Sequence, residues 1–136
     1  MLKKIHHVAL AVDNIDEAAK FYKNCLGLEL SGIETVSAQK TNVGFLRIGT
    51  SNIELVQPAE PDSPLQKFLE TRGQGVHHIC FEVDDIDVEI KNLLEKGAIM
   101  IDHTPRTGAH NSRVAFIHPR SSSGVLIELV ELSKEK

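Results

Sequence analysis

Apolar residues alternate with small or polar ones over residues 5–12 and again over 77–83, the period of a strand with one buried face. Acidic and amide residues follow both runs, Asp13-Asn14 and Asp84-Asp85, and such side chains cap helix N-termini. Behind them the period lengthens. Ile15, Ala18, Ala19, Tyr22 and Leu26 share one helical face, as do Ile86, Ile90, Leu93 and Leu94, and Gly27 and Gly97 stand where each helix should stop. Three short strand-like runs follow each helix, near 28–36, 42–48 and 52–57 in the first half and near 98–102, 113–118 and 124–131 in the second. Turn residues divide them: Gly49 to Asn52, Pro105 to Asn111, and Pro119 to Gly124. Residues 58–75 between the halves carry three prolines, a short amphipathic piece from Leu65 to Leu69, then Gly73 and Gly75, which predicts a linker holding one or two helical turns.

The order strand, helix, three strands therefore occurs twice, and the residues themselves repeat. At an offset of 71, residues 6–20 match residues 77–91 at seven of fifteen positions: His6, His7, Val12, Asp13, Ile15, Asp16 and Lys20. A second match links Ile53-Glu54-Leu55-Val56 to Ile127-Glu128-Leu129-Val130. The sequence predicts a single α+β domain over residues 1–136, built of two tandem βαβββ modules at about 1–58 and 76–136 joined by a linker at about 59–75.

Strand parity decides what the repeated histidines face, because successive residues point to opposite sides of a sheet. Val8, Leu10 and Val12 form the bulky face that should meet the helix, so His7 points away, beside the small Ala9 and Ala11. In the second copy Ile79, Phe81 and Val83 take the helix side and His78 the other. His6 and His77 fall on the helix side and read as packing or hydrogen-bonding neighbours. Glu54 and Glu128 likewise point away from Ile53 and Leu55, and from Ile127 and Leu129. A glutamate between apolar neighbours is costly unless a charge meets it. Two histidines and two glutamates on matching faces, 47 and 50 residues apart in the two copies, propose one metal site made of His7, Glu54, His78 and Glu128.

Composition narrows the classes. A chain of 136 residues can bury roughly two-thirds of its unfolded surface. A net charge of −4 gives no reason to hold a nucleic acid, and no apolar run approaches the roughly 20 residues that cross a bilayer. No apolar signal core precedes the first strand, and Cys25 and Cys80 lie in apolar patterns as small core residues, so a reducing cytoplasm is expected. Arg106, Arg113 and Arg120 gather in the last third, around glycines and serines, where they could meet a small anionic ligand.

The stretches HHVALAVDNIDEAAKFY, IELVQP with DSPLQKFL, GVHHICFEVDDID and GAHNSRVAFIHPRSSSGVLIEL resemble the vicinal oxygen chelate superfamily and, within it, the methylmalonyl-CoA epimerases. The doubled histidines mark only the superfamily; GAH, HP and GVLIEL at this spacing carry the finer likeness. The resemblance covers nearly the whole chain. It implies a mixed, half-open, eight-stranded barrel-like sheet with helices outside. It also implies one divalent metal ion per chain on His7, Glu54, His78 and Glu128, with Co²⁺ placed first and Mn²⁺, Ni²⁺ or Zn²⁺ also suited to two imidazoles and two carboxylates. The activity implied is isomerisation: interconversion of the (R) and (S) forms of methylmalonyl-CoA by α-proton abstraction through a metal-stabilised enolate. Glu128 is the first candidate for the base, with Glu54 its partner. Arg106, His110 and Arg113 are the expected substrate contacts, an acyl-CoA the expected partner, and a homodimer is expected.

Three departures from the family pattern stand out. Asn111 replaces a glycine after His110, and Ser121 to Gly124 replaces a glycine-richer turn. Some relatives place a glutamate on the third strand of the first half, where this chain reads Thr41-Asn42-Val43-Gly44-Phe45-Leu46. A lactoylglutathione lyase and a non-catalytic binding protein of the same fold are the alternatives. Ring-cleaving dioxygenases and thiol transferases of the superfamily use two histidines and one carboxylate, so Glu54 argues against both.

Overall fold

Both expected helix starts are helix starts in a computed structural model, which describes residues 1–134. Asn14 accepts a hydrogen bond from the Glu17 amide at 2.9 Å, and Asp85 accepts one from the Val88 amide at 3.2 Å. They open α1 (Ile15–Leu26) and α3 (Ile86–Glu95), with acidic residues in each first turn. Gly27 ends α1 in the left-handed region at φ 72°, and Gly97, just beyond α3, has φ 89°.

The chain divides into two compact units, His7–His77 and a second made of Met1–His6 with the residues from His78 onward. The boundary falls inside β1 (Leu2–Ala11) and β5 (Gly75–Val83).

In the first unit β1 is followed, after α1, by β2 (Leu30–Val36), β3 (Thr41–Ile48) and β4 (Ser51–Pro58), in the hydrogen-bonded order β2-β3-β4-β1. β1 and β4 are parallel, with Ala9 opposite Glu54; the other pairs are antiparallel, with Phe45 opposite Glu54 and Val43 opposite Val56. Parity holds: Val12, Ile15, Ala19, Leu46 and Leu55 form a buried cluster, with Leu10 and Ile53 packed against it. Helix and sheet meet closely at Gly44, where a Cβ would stand 2.8 Å from Ile15 Cγ2. The linker holds α2 (Pro64–Arg72), longer than the expected turn or two, capped by buried Ser63.

In the second unit β8 (Ile127–Glu131) runs parallel to β5 and antiparallel to β7 (Arg113–Ile117), which pairs with the two-residue β6 (Arg106–Thr107). Val83, Ile86, Ile90, Met100, Ala115, Ile117 and Leu129 form its core. The leading residues of β1 belong to this unit: Lys3 Nζ lies 3.3 Å from both Glu82 and Asp84, and the N-terminal ammonium pairs with Glu89.

Three expectations are corrected. The strand expected at 98–102 is a single bridge, Met100 to Ile117. Ile99 and Ile101 do bond β7 through the His118 amide and the Phe116 carbonyl, but the Asp102 side chain accepts the Phe116 amide at 2.9 Å, so a carboxylate takes the place of a ladder carbonyl. Cys25 is exposed, unlike Cys80. Ten residues beyond Ile15, it sits roughly 80° off the buried stripe. Leu26, at the end of α1, is 56% exposed and outside the core.

Candidate active site and metal centre

Each unit carries one buried histidine–glutamate pair. In the first, His7 Nδ1 lies 3.1 Å from Glu54 Oε2; in the second, His78 Nε2 lies 2.9 Å from Glu128 Oε1. All four residues are 5–7% exposed. Carboxylates this deep are costly unless a charge or a strong donor meets them, and in each unit the imidazole is the donor at hand.

The setting of each glutamate is duplicated. Glu54 lies between Phe45 on its antiparallel neighbour and Ala9 on its parallel one; Glu128 lies between Phe116 and Cys80. A bulky ring walls one side and a small residue leaves room on the other. Phe116 also meets the His78 ring edge-to-face at 5.5 Å, so it limits how that imidazole can turn. The offset of 71 that matched the histidines also joins Phe45 to Phe116 and Ala9 to Cys80, a signal present in the sequence that parity reasoning passed over.

A second duplicated device fixes the strand that carries the glutamate. Three residues beyond Glu54, Gln57 Oε1 accepts the Ile15 amide at 2.9 Å; three beyond Glu128, Glu131 Oε1 accepts the Ile86 amide at 2.9 Å. The last strand of each module thus caps the first turn of that module's helix. The register of the glutamate is tied to the helix against which its strand packs.

Arg106 Nε lies 3.0 Å from Asp102 Oδ1, close enough for an ion pair though not aligned as a hydrogen bond, and its guanidinium sits over Phe116 at 5.4 Å. Arg113 bonds Asp87 at 2.9 Å and lies 3.5 Å from Glu131. Asp87, and behind it Glu131, hold its pKa above the ordinary guanidinium value. His110 is exposed, and it and Asn111 are consecutive left-handed residues at φ 55° and 57°. Gly108 beside them has no room for a side chain: a Cβ would stand 2.7 Å from Val114 Cγ1 and 2.8 Å from Ser112 Oγ.

The donor chemistry fits a divalent ion. Two ligands about 2.1 Å from one ion at a right angle lie about 3.0 Å apart, and the 2.9 and 3.1 Å separations within the pairs match that spacing. His7, His78 and Glu128 are of a kind that could hold a metal ion; Glu54 is not in that group.

A family model described as the Glyoxalase/Bleomycin resistance protein/Dioxygenase superfamily matches residues 6–116. The mitochondrial methylmalonyl-CoA epimerase of Dictyostelium discoideum is 43% identical over 131 residues, covering 94% of this chain and 78% of that protein. The chain belongs to the methylmalonyl-CoA epimerase family of that superfamily. Two solved structures show the family's fold over nearly the whole length. A Streptomyces coelicolor methylmalonyl-CoA epimerase in complex with 2-nitronate-propionyl-CoA has a TM-score of 0.94 at 32% identity, covering 100% of this chain and 99% of that one. A methylmalonyl-CoA epimerase in complex with methylmalonyl-CoA and NH4⁺ has a TM-score of 0.94 at 33% identity, covering 98% and 97%. The α+β fold expected from the paired modules is the fold of these epimerases.

Proposed function

We propose that the protein is a metal-dependent isomerase that interconverts the (R) and (S) forms of methylmalonyl-CoA. The observation that carries this reading is the buried histidine–glutamate pair present at the equivalent place in both modules of an epimerase-family chain. In this reading residues 1–136 act as one domain, and His7, Glu54, His78 and Glu128 together hold one divalent ion, Co²⁺ first and Mn²⁺, Ni²⁺ or Zn²⁺ as substitutes. When bound, the ion supplies Lewis acidity at the thioester carbonyl, where negative charge develops as the α-proton leaves.

The chain's own residues do the rest. His7 and His78 each stand beside one of the two carboxylates and fix its position. Glu128 removes the proton from the α-carbon between the thioester and the free carboxylate. Glu54 is a ligand and the partner carboxylate of Glu128. Phe45 and Phe116 keep water from the carboxylate faces they cover. The 108–113 loop, with Arg106, His110 and Arg113, approaches the coenzyme A portion. We further place the protein in the cytoplasm as a homodimer; among the described residues no helix is long and apolar enough to cross a membrane.

The test is stereochemical. Protein supplied with (S)-methylmalonyl-CoA should yield the (R) form, chelation should stop it, and added Co²⁺ should restore it. Turnover of a methylglyoxal–glutathione adduct with no inversion of methylmalonyl-CoA would overturn the assignment in favour of a lactoylglutathione lyase.

A further inference from the structure

A phenylalanine stands opposite the glutamate in both modules, but the two rings are not held alike. At the offset of 71 that joins Phe45 to Phe116, Ser31 corresponds to Asp102 and Thr35 to Arg106. Ser31 donates its hydroxyl to the Phe45 carbonyl at 3.3 Å, and Thr35, which carries no charge, bonds Asn42 at 2.6 Å. Asp102 grips both backbone groups of Phe116: its Oδ2 accepts the Phe116 amide at 2.9 Å, and its amide donates to the Phe116 carbonyl at 3.3 Å. The duplication kept the ring and its anchoring position, and set a carboxylate and a guanidinium behind one copy.

Register puts that guanidinium on the glutamate's side of the sheet. Arg106 on β6 stands opposite Val114 on β7, while Val114 stands opposite Val130, and Phe116 opposite Glu128, on β8. Residues directly opposite share a face, as do residues two apart along one strand, so Arg106, Val114, Phe116 and Glu128 lie on one side. Arg106 is pinned there. Its Nη2 bonds Asp102 Oδ2 at 3.3 Å, its buried Nε lies 3.0 Å from Oδ1, and its guanidinium carbon is 5.4 Å from the centre of the Phe116 ring, within cation–π range. The Phe116 ring in turn meets the His78 imidazole edge-to-face, at 5.5 Å and 88°, and His78 Nε2 lies 2.9 Å from Glu128 Oε1. Every member of this series, Asp102, Arg106, Phe116, His78 and Glu128, belongs to the unit that continues from His78 onward.

We propose that Arg106 is a positioning residue that acts on the His78–Glu128 pair through the Phe116 ring. Held by Asp102, the cation fixes the tilt of the ring, and the ring fixes the plane of the imidazole. This inward task is additional to the substrate contact proposed above, and it rests on the reading of His78 and Glu128 as metal ligands. Groups that orient a ligand from behind typically contribute about 10- to 100-fold to metal affinity.

The test is a double-mutant cycle read by calorimetry of Co²⁺ binding to metal-free protein: Arg106→Ala, with and without Phe116→Leu. Arg106→Ala should weaken Co²⁺ binding about tenfold, and by less than about twofold once Phe116 is leucine. The sign is diagnostic, because losing a nearby positive charge would by itself tighten the binding of a cation. Arg106→Lys, which keeps a cation beside Asp102 and the ring, should recover part of the loss. In proton NMR of the metal-free protein the His78 ring resonances, which feel the Phe116 ring, should move in Arg106→Ala. Unchanged or tighter Co²⁺ binding, equal weakening in the Phe116→Leu background, or unmoved His78 resonances would each overturn the assignment. A lower Tm or a raised KM with none of the expected changes would also overturn it, leaving Arg106 a stabilising residue or a substrate contact. If the unsubstituted protein binds no Co²⁺, it is the proposed function that falls, and the His78 resonances still decide whether Arg106 holds the pair.

Discussion

Glu128 is assigned two tasks, metal ligand and base, and a conservative change separates them. Glutamine keeps the shape and one oxygen donor but removes the basic carboxylate. Glu128→Gln should lower inversion by about 10²–10⁴-fold and abolish wash-out of deuterium-exchangeable α-proton from the stereoisomer it serves, read by proton NMR in D₂O. Ordinary wash-out from both stereoisomers in that variant would remove Glu128 from the base role. At the same scale, Gly44 is needed for contact rather than chemistry. A Cβ there would lie 2.8 Å from Ile15 Cγ2, and a β-branched side chain has little freedom to swing aside, so Gly44→Ala should destabilise by about 1–3 kcal/mol in urea unfolding. An unchanged midpoint would show that α1 rests more loosely on β3 than its packing implies.

Among elements, helix starts and strand faces were legible because local chemistry dictates them. Asn14 and Asp85 cap through their own side chains, and the alternation of Leu10 and Val12 with Ala9 and Ala11 sets the direction of His7 with no long-range information. Repetition then made a pair of ordinary histidines informative. What the sequence did not disclose depends on partners distant along the chain. Asp102 replaces a strand carbonyl for Phe116, so the apolar run at 98–102 does not become a regular strand. Arg106 and Arg113 stand in an attractive loop for an anion, yet each is paired with a carboxylate, Asp102 and Asp87, that periodicity could not connect to it. The caps contributed by Gln57 and Glu131 belong to this group too. Gln57→Ala should cost about 1 kcal/mol of stability by leaving the Ile15 amide without that acceptor, while Glu131→Gln, which preserves an acceptor, should cost less. Equal midpoints for Gln57→Ala and the unsubstituted protein would mean that solvent replaces the bond at no cost.

For the molecule as a whole, duplication supplies each part of the proposed site twice: an imidazole, a carboxylate beside it, a phenylalanine wall, a small residue opposite, and a cap that holds the strand to its helix. One copy offers two ligands, too few to hold an ion firmly while orienting a two-oxygen substrate, so the proposed catalyst depends on both copies serving a single ion. The most direct measurement is a titration of chelated, metal-free protein with Co²⁺, following inversion of methylmalonyl-CoA. The account predicts activity that rises linearly and breaks at one equivalent per chain, with both His7→Ala and His78→Ala abolishing the break. Full inversion by the metal-free protein, or a break that survives the loss of either histidine, would contradict it.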